Sequence, residues 1–383
     1  MIAGGIWRLQ TATSSSVSSW VYTIYSYSIQ VFYSTLVVSL VVEFVVRYRA
    51  NNMEGAIENL SKTIFGILLM LKLLLCQSNK LVNLTRSAIK EEEEVFKKDD
   101  KAIQTIYKSH VRYSSKITYT VAVYSFLLGG YLIEIGITNS YLFYKAHKGF
   151  NVSLEKPLPM PLWYPFDRNK YHVWALVHQI VEVFLTALYS GSVQAFTNAA
   201  IIFVRSQLKI LQYLLANFDA YSVTDEFLEV DDVGLHTLKV FLRSHHKLII
   251  WMEDLDNSFK ELLLIEYIVS SLLLAAVIMQ IFAGKDAVFH TIYLMLIFLQ
   301  LVVLAWNADE VKEQSANLAN ALYNSSWYKH SQQVKVFILV MMMRCQKPLT
   351  LSIGPFGAMT ADAALSRAKL AYSYVSLMSG NSR

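Results

Sequence analysis

Apolar residues along this chain gather into seven blocks, each about as long as a bilayer-spanning helix. A bilayer core about 30 Å thick needs roughly 20 largely apolar residues in a helix. The blocks cover approximately residues 20–46, 57–76, 117–139, 172–204, 262–283, 287–306 and 361–378. Charged residues interrupt the second block (Lys62, Lys72) and the last (Arg367, Lys369), but lysine can reach an interface by snorkelling. The pattern predicts an all-α membrane protein with seven transmembrane helices.

The composition agrees with a chain that lies in lipid. Hydrophobic residues make up 54% of the 383 residues and charged residues 16%, whereas soluble domains carry about 25% charged residues. The net charge of +5 is spread between the blocks, without the basic cluster typical of nucleic-acid binding. Two cysteines, Cys76 and Cys345, imply no disulfide framework. Residues 1–10 lack a signal-peptide pattern, so membrane insertion would rest on the spans.

The distribution of basic residues predicts the orientation of the chain, because cytoplasmic segments carry the excess of Lys and Arg. Nine basic residues lie between 77 and 116, after the second block, whereas only Arg47 and Arg49 follow the first. The N-terminus is therefore expected inside and, with seven spans, the C-terminus outside. A G-protein-coupled receptor has the opposite orientation.

The segments between the spans carry further structural signals. Residues 140–171 are expected outside and contain Pro157, Pro159, Pro161 and Pro165, which disfavour a helix and favour an extended lid. Asn151 in this segment belongs to a glycosylation sequon that would face the lumen during synthesis. Between 205 and 261, leucines recur at helical spacing among charges, so the fourth and fifth spans should continue as cytoplasmic helices.

Several side chains in the outer halves of the spans are candidates for a ligand cavity between spans two to six. An ionisable group in a membrane tends to face protein or water, although interhelical hydrogen bonding or the headgroup level would also explain one. Aromatic side chains, likewise, are often plain core. Apolar pockets with few polar groups suit small volatile molecules. The candidates are Phe65, Leu69, Gly130, Tyr131, Glu134, His178, Glu182, Leu185, Tyr189, Met279, His290 and Tyr293.

No enzyme motif is present in the sequence. There is no phosphate-binding glycine loop, no HExxH, no GxSxG and no paired cysteine ligands. We therefore expect neither an enzyme nor a cofactor or metal site. Gly129 and Gly130 lie in the third span, where small residues usually let helices approach closely.

A short apolar segment, 334–344, precedes a proline near the C-terminus. It is only about three turns long, too short to span a bilayer, and Pro348 turns the chain immediately afterwards. The segment is therefore predicted to form a buried cytoplasmic helix.

The C-terminal region holds the most specific motifs in the chain. It reads QSANLANALY at 314–323, Trp327-Tyr328, MMMRCQKPL at 341–349, Gly354-Pro355-Phe356 and Ala371-Tyr372-Ser373-Tyr374. This combination resembles the insect odorant receptor family, whose members carry a small-residue helix leading to a Tyr and a Trp, an Arg-x-Gln-Lys-Pro-Leu-like turn, a Gly-x-Phe and a Tyr-Ser-containing last helix. The resemblance implies the odour-binding subunit of a heterotetrameric, ligand-gated, non-selective cation channel in the dendrite membrane of an olfactory neuron.

The resemblance also implies partners and roles. The partners would be a small volatile organic odorant, odorant receptor co-receptor subunits, membrane lipid and permeant cations. Residues 1–310 would form the first six spans and the cavity, 311–350 the cytoplasmic anchor region, and 351–383 the pore-lining last helix. Anchor candidates are Val334, Arg344, Gln346, Lys347, Pro348, Leu349 and Phe356; pore candidates are Lys369, Ser373, Ser376 and Leu377. The segment between spans four and five is short, which resembles an odour-tuned subunit rather than the longer co-receptor.

Other classes fit the sequence less well. A gustatory receptor shares the fold but typically ends in Thr-Tyr and Gln-Phe, whereas here Ala371 precedes Tyr372 and no Gln-Phe follows. A G-protein-coupled receptor would need the opposite orientation and an acidic-Arg-Tyr triplet after span three. A secondary transporter would be expected to show inverted repeats, and none is detectable. Arg367 and Lys369 in the last helix do not match the odorant receptor pattern.

Overall fold

Helices account for nearly all of the described chain. The computed structural model describes residues 16–97, 100–146, 156–221, 230–282, 284 and 286–380. Within these residues the α-helices are α1 Ser16–Arg49, α2 Met53–Cys76, α3 Asn79–Lys97, α4 Lys101–Ala146, α5 His172–Ala216, α6 Phe218–Tyr221, α7 Val230–Phe282, α8 Ala287–Tyr323, α9 Gln332–Cys345 and α10 Ala361–Gly380. The prediction of an all-α membrane protein is confirmed.

The predicted spans correspond to seven of these helices. Six helices of the described chain (α1, α2, α4, α5, α7 and α8) are long and apolar enough to cross a membrane. The seventh, α10, begins at Ala361 as predicted but is less apolar because it carries Arg367 and Lys369. The predicted boundary at residue 310 falls inside α8, which continues without a break to Tyr323.

A large hydrophobic core lies on the side that is predicted to face the cytoplasm, where the long helices run past their spans. Leu208 of α5, Leu255 of α7, Leu318 of α8 and Ile338 of α9 are all at most 2% exposed and belong to one cluster. The expected continuations of the fourth and fifth spans are therefore confirmed in α5 and α7. Helix α3, whose Leu81 and Leu84 join this core, and the inward extension of α4 were not predicted.

The segment before α5 is extended, as its prolines predict. Residues 156–171 contain no helix, and the chain packs closely on α4, where a Cβ added to Gly136 would lie 2.1 Å from Cγ of Pro159. Only glycine leaves room for the proline at this contact. Asn151 lies outside the described residues.

A compact turn joins α9 to α10. Ser352 and Ala358 form an antiparallel bridge, and the backbone N–H and hydroxyl of Ser352 donate to Oδ1 of Asp256 on α7 at 2.6 and 2.8 Å. The backbone N–H of Leu349 donates to the Ser315 hydroxyl on α8 at 2.8 Å. These bonds fasten the turn before α10 to α7 and α8.

Candidate functional site

A small apolar cavity lies between the outer halves of α1, α2, α4, α5 and α8. Its volume is about 90 Å³. The helices contribute mostly aliphatic and aromatic side chains to its wall: Tyr33, Leu36, Leu40, Phe65, Leu128, Leu132, Val183, Ala187, Phe289, Tyr293 and Leu296. A pocket with such a wall favours a small, largely apolar ligand, because binding removes apolar surface from water.

The extended segment before α5 covers the outer end of the cavity with Met160. The Gln179 side chain of α5 accepts a hydrogen bond from the Met160 backbone N–H at 2.8 Å and donates to its carbonyl at 3.0 Å. Gln179 is fully buried, so both of its polar atoms are used to hold this backbone. The two bonds fix the Met160 side chain as part of the wall.

Two tyrosine hydroxyls in the wall, those of Tyr33 and Tyr293, have no hydrogen-bond partner among the described residues. Tyr293 is 4% exposed and packs edge-on against Phe65, with ring centroids 5.9 Å apart. By contrast, the hydroxyls of Ser125 and Thr186 donate to carbonyls of their own helices at 2.9 and 2.7 Å. A buried hydroxyl without a partner costs free energy, so the two tyrosines offer a ligand unused donors and acceptors.

A polar cluster lies beside the cavity, where α1 and α5 meet the extended segment. Glu182 is fully buried and its Oε1 accepts a hydrogen bond from the Thr35 hydroxyl at 3.2 Å. Nε2 of His178 lies 3.6 Å from the same oxygen, and its Nδ1 lies 3.1 Å from the Tyr164 hydroxyl. Burial raises the pKa of Tyr164 to about 12, so this hydroxyl keeps its proton at neutral pH. The cluster ties the extended segment to α5.

A second, more polar cavity of about 290 Å³ lies next to the apolar cavity, at its outer end. Its wall includes Arg47, Glu58, Lys156 and His290. The two cavities share Lys62, Leu132, Met160 and Phe289. The polar cavity therefore adjoins the apolar one where Met160 covers it.

The structure distributes the twelve candidate ligand-binding residues over several places. Phe65 and Tyr293 line the apolar cavity, and His290 lines the polar one. Leu69, Tyr189 and Leu185 pack behind the wall in one hydrophobic cluster, and Tyr131 joins another. His178 and Glu182 form the polar cluster, and Met279 is partly buried in α7, which does not line the apolar cavity.

Two candidates face away from the cavity. Gly130 and Glu134 are exposed on α4, and a Cβ added to Gly130 would meet no atom within 4 Å. The neighbouring Gly129 lines the cavity instead, and a Cβ there would lie 3.2 Å from Cγ1 of Val183 on α5. The packing expected of both glycines is therefore found only at Gly129.

Most residues of the wall are not among the sequence-predicted candidates. Tyr33 of α1 is not predicted because the expected cavity lies between spans two to six, and Met160 is not predicted because the pattern of prolines gives the lid no specific contacts. Gln179 does not line the cavity but holds Met160 in place, and the sequence carries a signal for it, since an uncharged amide inside an apolar block needs a partner. That partner proves to be the lid backbone.

The anchor candidates divide between the inside and the outside of the chain. Val334 and Leu349 are buried in the chain's own core at 0% and 6% exposure, whereas Phe356 is 57% exposed and stacks on Tyr267. Arg344 donates to the Lys347 carbonyl at 2.8 Å, which closes the turn before Pro348; Gln346 and Lys347 are exposed. The exposed apolar face of α9 consists of other residues: Val336, Phe337, Leu339, Val340 and Met343.

The pore candidates lie on one side of α10. Lys369, Ser373 and Ser376 are exposed, and the Ser373 hydroxyl donates to the Lys369 carbonyl at 3.0 Å. Arg367 and Ala371, each 1% exposed, face the bundle. The side chain of Leu377 lies outside the described part of the structure. Among the described residues, no group of three or more His, Cys, Asp or Glu side chains could hold a metal ion.

Long apolar helices, five of which line an apolar cavity, define a multi-pass membrane protein. The family model described as 7tm Odorant receptor matches residues 52–372. The chain therefore belongs to the odorant receptor family, and the expected resemblance is confirmed.

Individual relatives agree with this assignment. The chain is 23% identical to Odorant receptor 10 of Aedes albopictus over 292 residues, which cover 74% of this chain and 73% of the relative. It is 25% identical to Odorant receptor 22c of Drosophila melanogaster over 53% of each chain. The solved structure of the insect olfactory receptor OR5 from Machilis hrabei matches with a TM-score of 0.77 at 18% identity, covering 98% of this chain and 94% of that one. OR5 in complex with eugenol matches with a TM-score of 0.75 at 18% identity and the same coverage.

Proposed function

We propose that this chain is the odour-binding subunit of a ligand-gated, non-selective cation channel in the dendrite membrane of an olfactory neuron. The observation that carries the proposal is the apolar cavity, covered by Met160 and containing the unused hydroxyl of Tyr293. The ligand would be a small volatile organic molecule with one hydrogen-bonding group. That the related OR5 has been solved with eugenol agrees with a ligand of this kind.

Assembly with co-receptor subunits would use the exposed apolar face of α9. Leu339 and Met343 on this face are 58% and 60% exposed in the single chain, although they lie on the side assigned to the cytoplasm. An apolar patch in water marks an interaction surface. Arg344, Gln346, Lys347, Pro348 and Leu349 would hold the turn that orients α9, and Phe356 would stabilise the following turn against α7.

Cations would pass along the polar face of α10. Odorant binding would favour the conformation in which the last helices are apart, and the difference in affinity between the two conformations would open the channel. No covalent step is involved.

The decisive experiment records currents from cells that express this chain with and without the co-receptor. We expect an odour-evoked current that begins within milliseconds, needs the co-receptor and persists when G proteins are blocked. A response that disappears with G-protein block would contradict the channel.

A cavity-filling variant ties the current to the proposed site. Ala187 lies in the cavity wall and is 6% exposed, so Ala187→Leu should remove space for ligand and raise the half-maximal odorant concentration by about tenfold or more. Ala146→Leu makes the same change at an exposed position at the outer end of α4 and should leave the dose-response curve unchanged. Surface labelling of both variants controls for misfolding.

A further inference from the structure

Arg367 is a buried arginine in the last helix with two nitrogens that lack a partner. Its side chain is 1% exposed and its guanidinium carbon lies 4.2 Å from the centre of the Tyr267 ring on α7. One terminal nitrogen donates to the Ser270 hydroxyl at 3.3 Å. Nε and Nη2 have no hydrogen-bond partner among the described residues. A buried guanidinium with unused donors is costly unless a further group binds it.

The charges around Arg367 do not cancel. Nζ of Lys72 on α2 forms an ion pair with Oε1 of Glu266 on α7 at 2.9 Å, and these side chains are 15% and 17% exposed. Glu266 is also close enough to act electrostatically on Arg367, but one carboxylate balances only one of the two cations. The three charged side chains therefore leave a net charge of +1 within the helix bundle, where uncompensated charge is strongly disfavoured.

A cavity lies next to these three charged side chains, where a bound anion would balance their net positive charge. It has a volume of about 50 Å³ and is lined by Lys72, Glu266, Ser270 and Arg367, with Gln194 and Gln300 adding amide groups. A cavity of roughly 10–15 Å³ holds one water, so this one has room for a small ion or a compact acid group. It adjoins the apolar cavity, which we propose as the odorant cavity, because Phe65 and Ser190 line both cavities.

We propose that this cavity is a binding site for a monoanionic group held by Nε and Nη2 of Arg367. The anion supplies the one negative charge that the cluster lacks and accepts the hydrogen bonds that the protein leaves unused. It is either a free inorganic anion such as chloride or the carboxylate of a ligand whose chain lies in the adjoining odorant cavity. Both sources present the same chemistry to Arg367.

The first test measures thermal unfolding of the purified full-length chain in detergent, in sodium chloride and in sodium gluconate at equal ionic strength. An anion that binds only the folded protein stabilises it in proportion to occupancy. We expect chloride to raise the melting temperature along a saturable curve that gluconate does not reproduce, because the polyol chain of gluconate is too large for this cavity and too polar for the adjoining apolar one. Sodium hexanoate, compared with neutral hexanol, tests the second source: saturable stabilisation by hexanoate at lower concentration than chloride identifies a ligand carboxylate.

Variants that change one charge test whether the stabilisation by anions arises at this cluster. We expect them to shift the half-saturating anion concentration in opposite directions. Arg367→Gln should raise the half-saturating anion concentration by at least about tenfold, since hydrogen bonds to charged groups are strong. Lys72→Gln should do the same, because Glu266 is then free to balance Arg367. Glu266→Gln leaves two cations and should lower the half-saturating concentration. Arg112→Gln removes an exposed arginine of α4 and should change nothing.

Several outcomes would overturn the site. These are an absence of saturable stabilisation by both chloride and hexanoate, a shift that persists in Arg367→Gln, or equal shifts in Lys72→Gln and Glu266→Gln. If Arg367→Gln does not fold, the opposed Lys72 and Glu266 variants still decide. Because the melting experiment needs neither odorant nor current, its failure is separate from a failure of the channel proposal.

Discussion

Tyr293 shows at the scale of one residue how the cavity can select a ligand. Its ring forms part of the cavity wall next to Phe65, and its buried hydroxyl has no hydrogen-bond partner among the described residues. An odorant that hydrogen-bonds to this group gains free energy, whereas a hydrocarbon leaves it unused. The preference for a polar group would thus come from tyrosine hydroxyls in a wall that is mostly apolar.

Replacing Tyr293 with phenylalanine should separate these two effects. Loss of one hydrogen bond costs about 0.5–1.5 kcal/mol, so the half-maximal concentration of an alcohol or ester odorant should rise roughly 2- to 12-fold. A hydrocarbon of similar size should keep its potency, and the melting temperature without odorant should stay equal or rise, because an unsatisfied buried hydroxyl is removed. Tyr323→Phe, at a position 66% exposed, is the matched control. Equal losses for the polar odorant and the hydrocarbon would argue against a hydrogen bond.

Sequence reasoning found the right stretch of α4 but the wrong face. Gly130 and Tyr131 were predicted to line the cavity, whereas Gly129 and Leu132 do. Successive residues of a helix point about 100° apart, so an error of one position turns a wall residue toward lipid. Lipid and protein interior are both apolar, and hydropathy alone therefore does not set the rotation of a spanning helix.

At the scale of the element, α9 is a short helix with two apolar faces. Val334, Ile338, Met341 and Cys345 face the chain's own core and are at most 2% exposed. The residues at 336, 339, 340 and 343 repeat at helical spacing on the outside. The sequence predicted this short buried helix because it is too short to span and is followed by Pro348. It did not show which apolar side faces outward, since both look alike.

Charges on the outer face of α9 should prevent assembly without unfolding the chain. The double variant Leu339→Glu/Met343→Glu would bury unpaired carboxylates in the proposed interface, and co-purification with the co-receptor should fall by about tenfold or more. Gln332→Glu/Gln333→Glu adds the same charge at exposed positions of the first turn and should preserve association. Melting temperatures of the separate chains should match. If the Leu339→Glu/Met343→Glu variant co-purifies with the co-receptor as well as the wild type does, this face of α9 does not form the interface.

The more apolar a helix is, the more clearly the sequence predicts it. The spanning parts of α1, α2, α4, α5, α7 and α8 stand out because lipid demands long apolar runs. Helix α3 escaped notice because it is a charged surface helix that buries only Leu81, Leu84 and Val95. Its four consecutive glutamates, residues 91–94, suit a solvated helix as well as a loop.

At the scale of the whole molecule, the ligand cavity and the last helix share neighbours. Phe65 and Ser190 line both the odorant cavity and the cavity at Arg367, and α10 packs against α7 and α8. A change in the wall of the odorant cavity can therefore reach α10 through directly packed side chains. The packed side chains thus connect the proposed odorant site with the proposed pore helix. They couple odorant binding to channel opening if the odorant binds the open and closed conformations with different affinities.

Two native cysteines leave the chain suitable for a chemical test of the pore. Cys76 and Cys345 are 1% and 2% exposed. Burial raises the pKa of the Cys345 thiol to about 11, so roughly one thousandth of it is the reactive thiolate at pH 8. Wild-type currents should consequently be insensitive to charged thiol reagents applied for a few minutes.

Cysteines placed along α10 should then reveal which face meets the permeating ions. Ser376 and Ser373 lie on the exposed face with Lys369, whereas Ala371 is buried against the bundle. In channels formed with the co-receptor, a charged thiol reagent added outside should change the current through Ser376→Cys and, more slowly, Ser373→Cys, because Ser376 lies nearer the predicted outer end. Ala371→Cys should resist modification because water does not reach it. Recordings of current against time of exposure give the rates. Modification of Ala371→Cys at the rate of Ser376→Cys, or an unmodified Ser376→Cys in channels that reach the surface, would show that ions pass along another face.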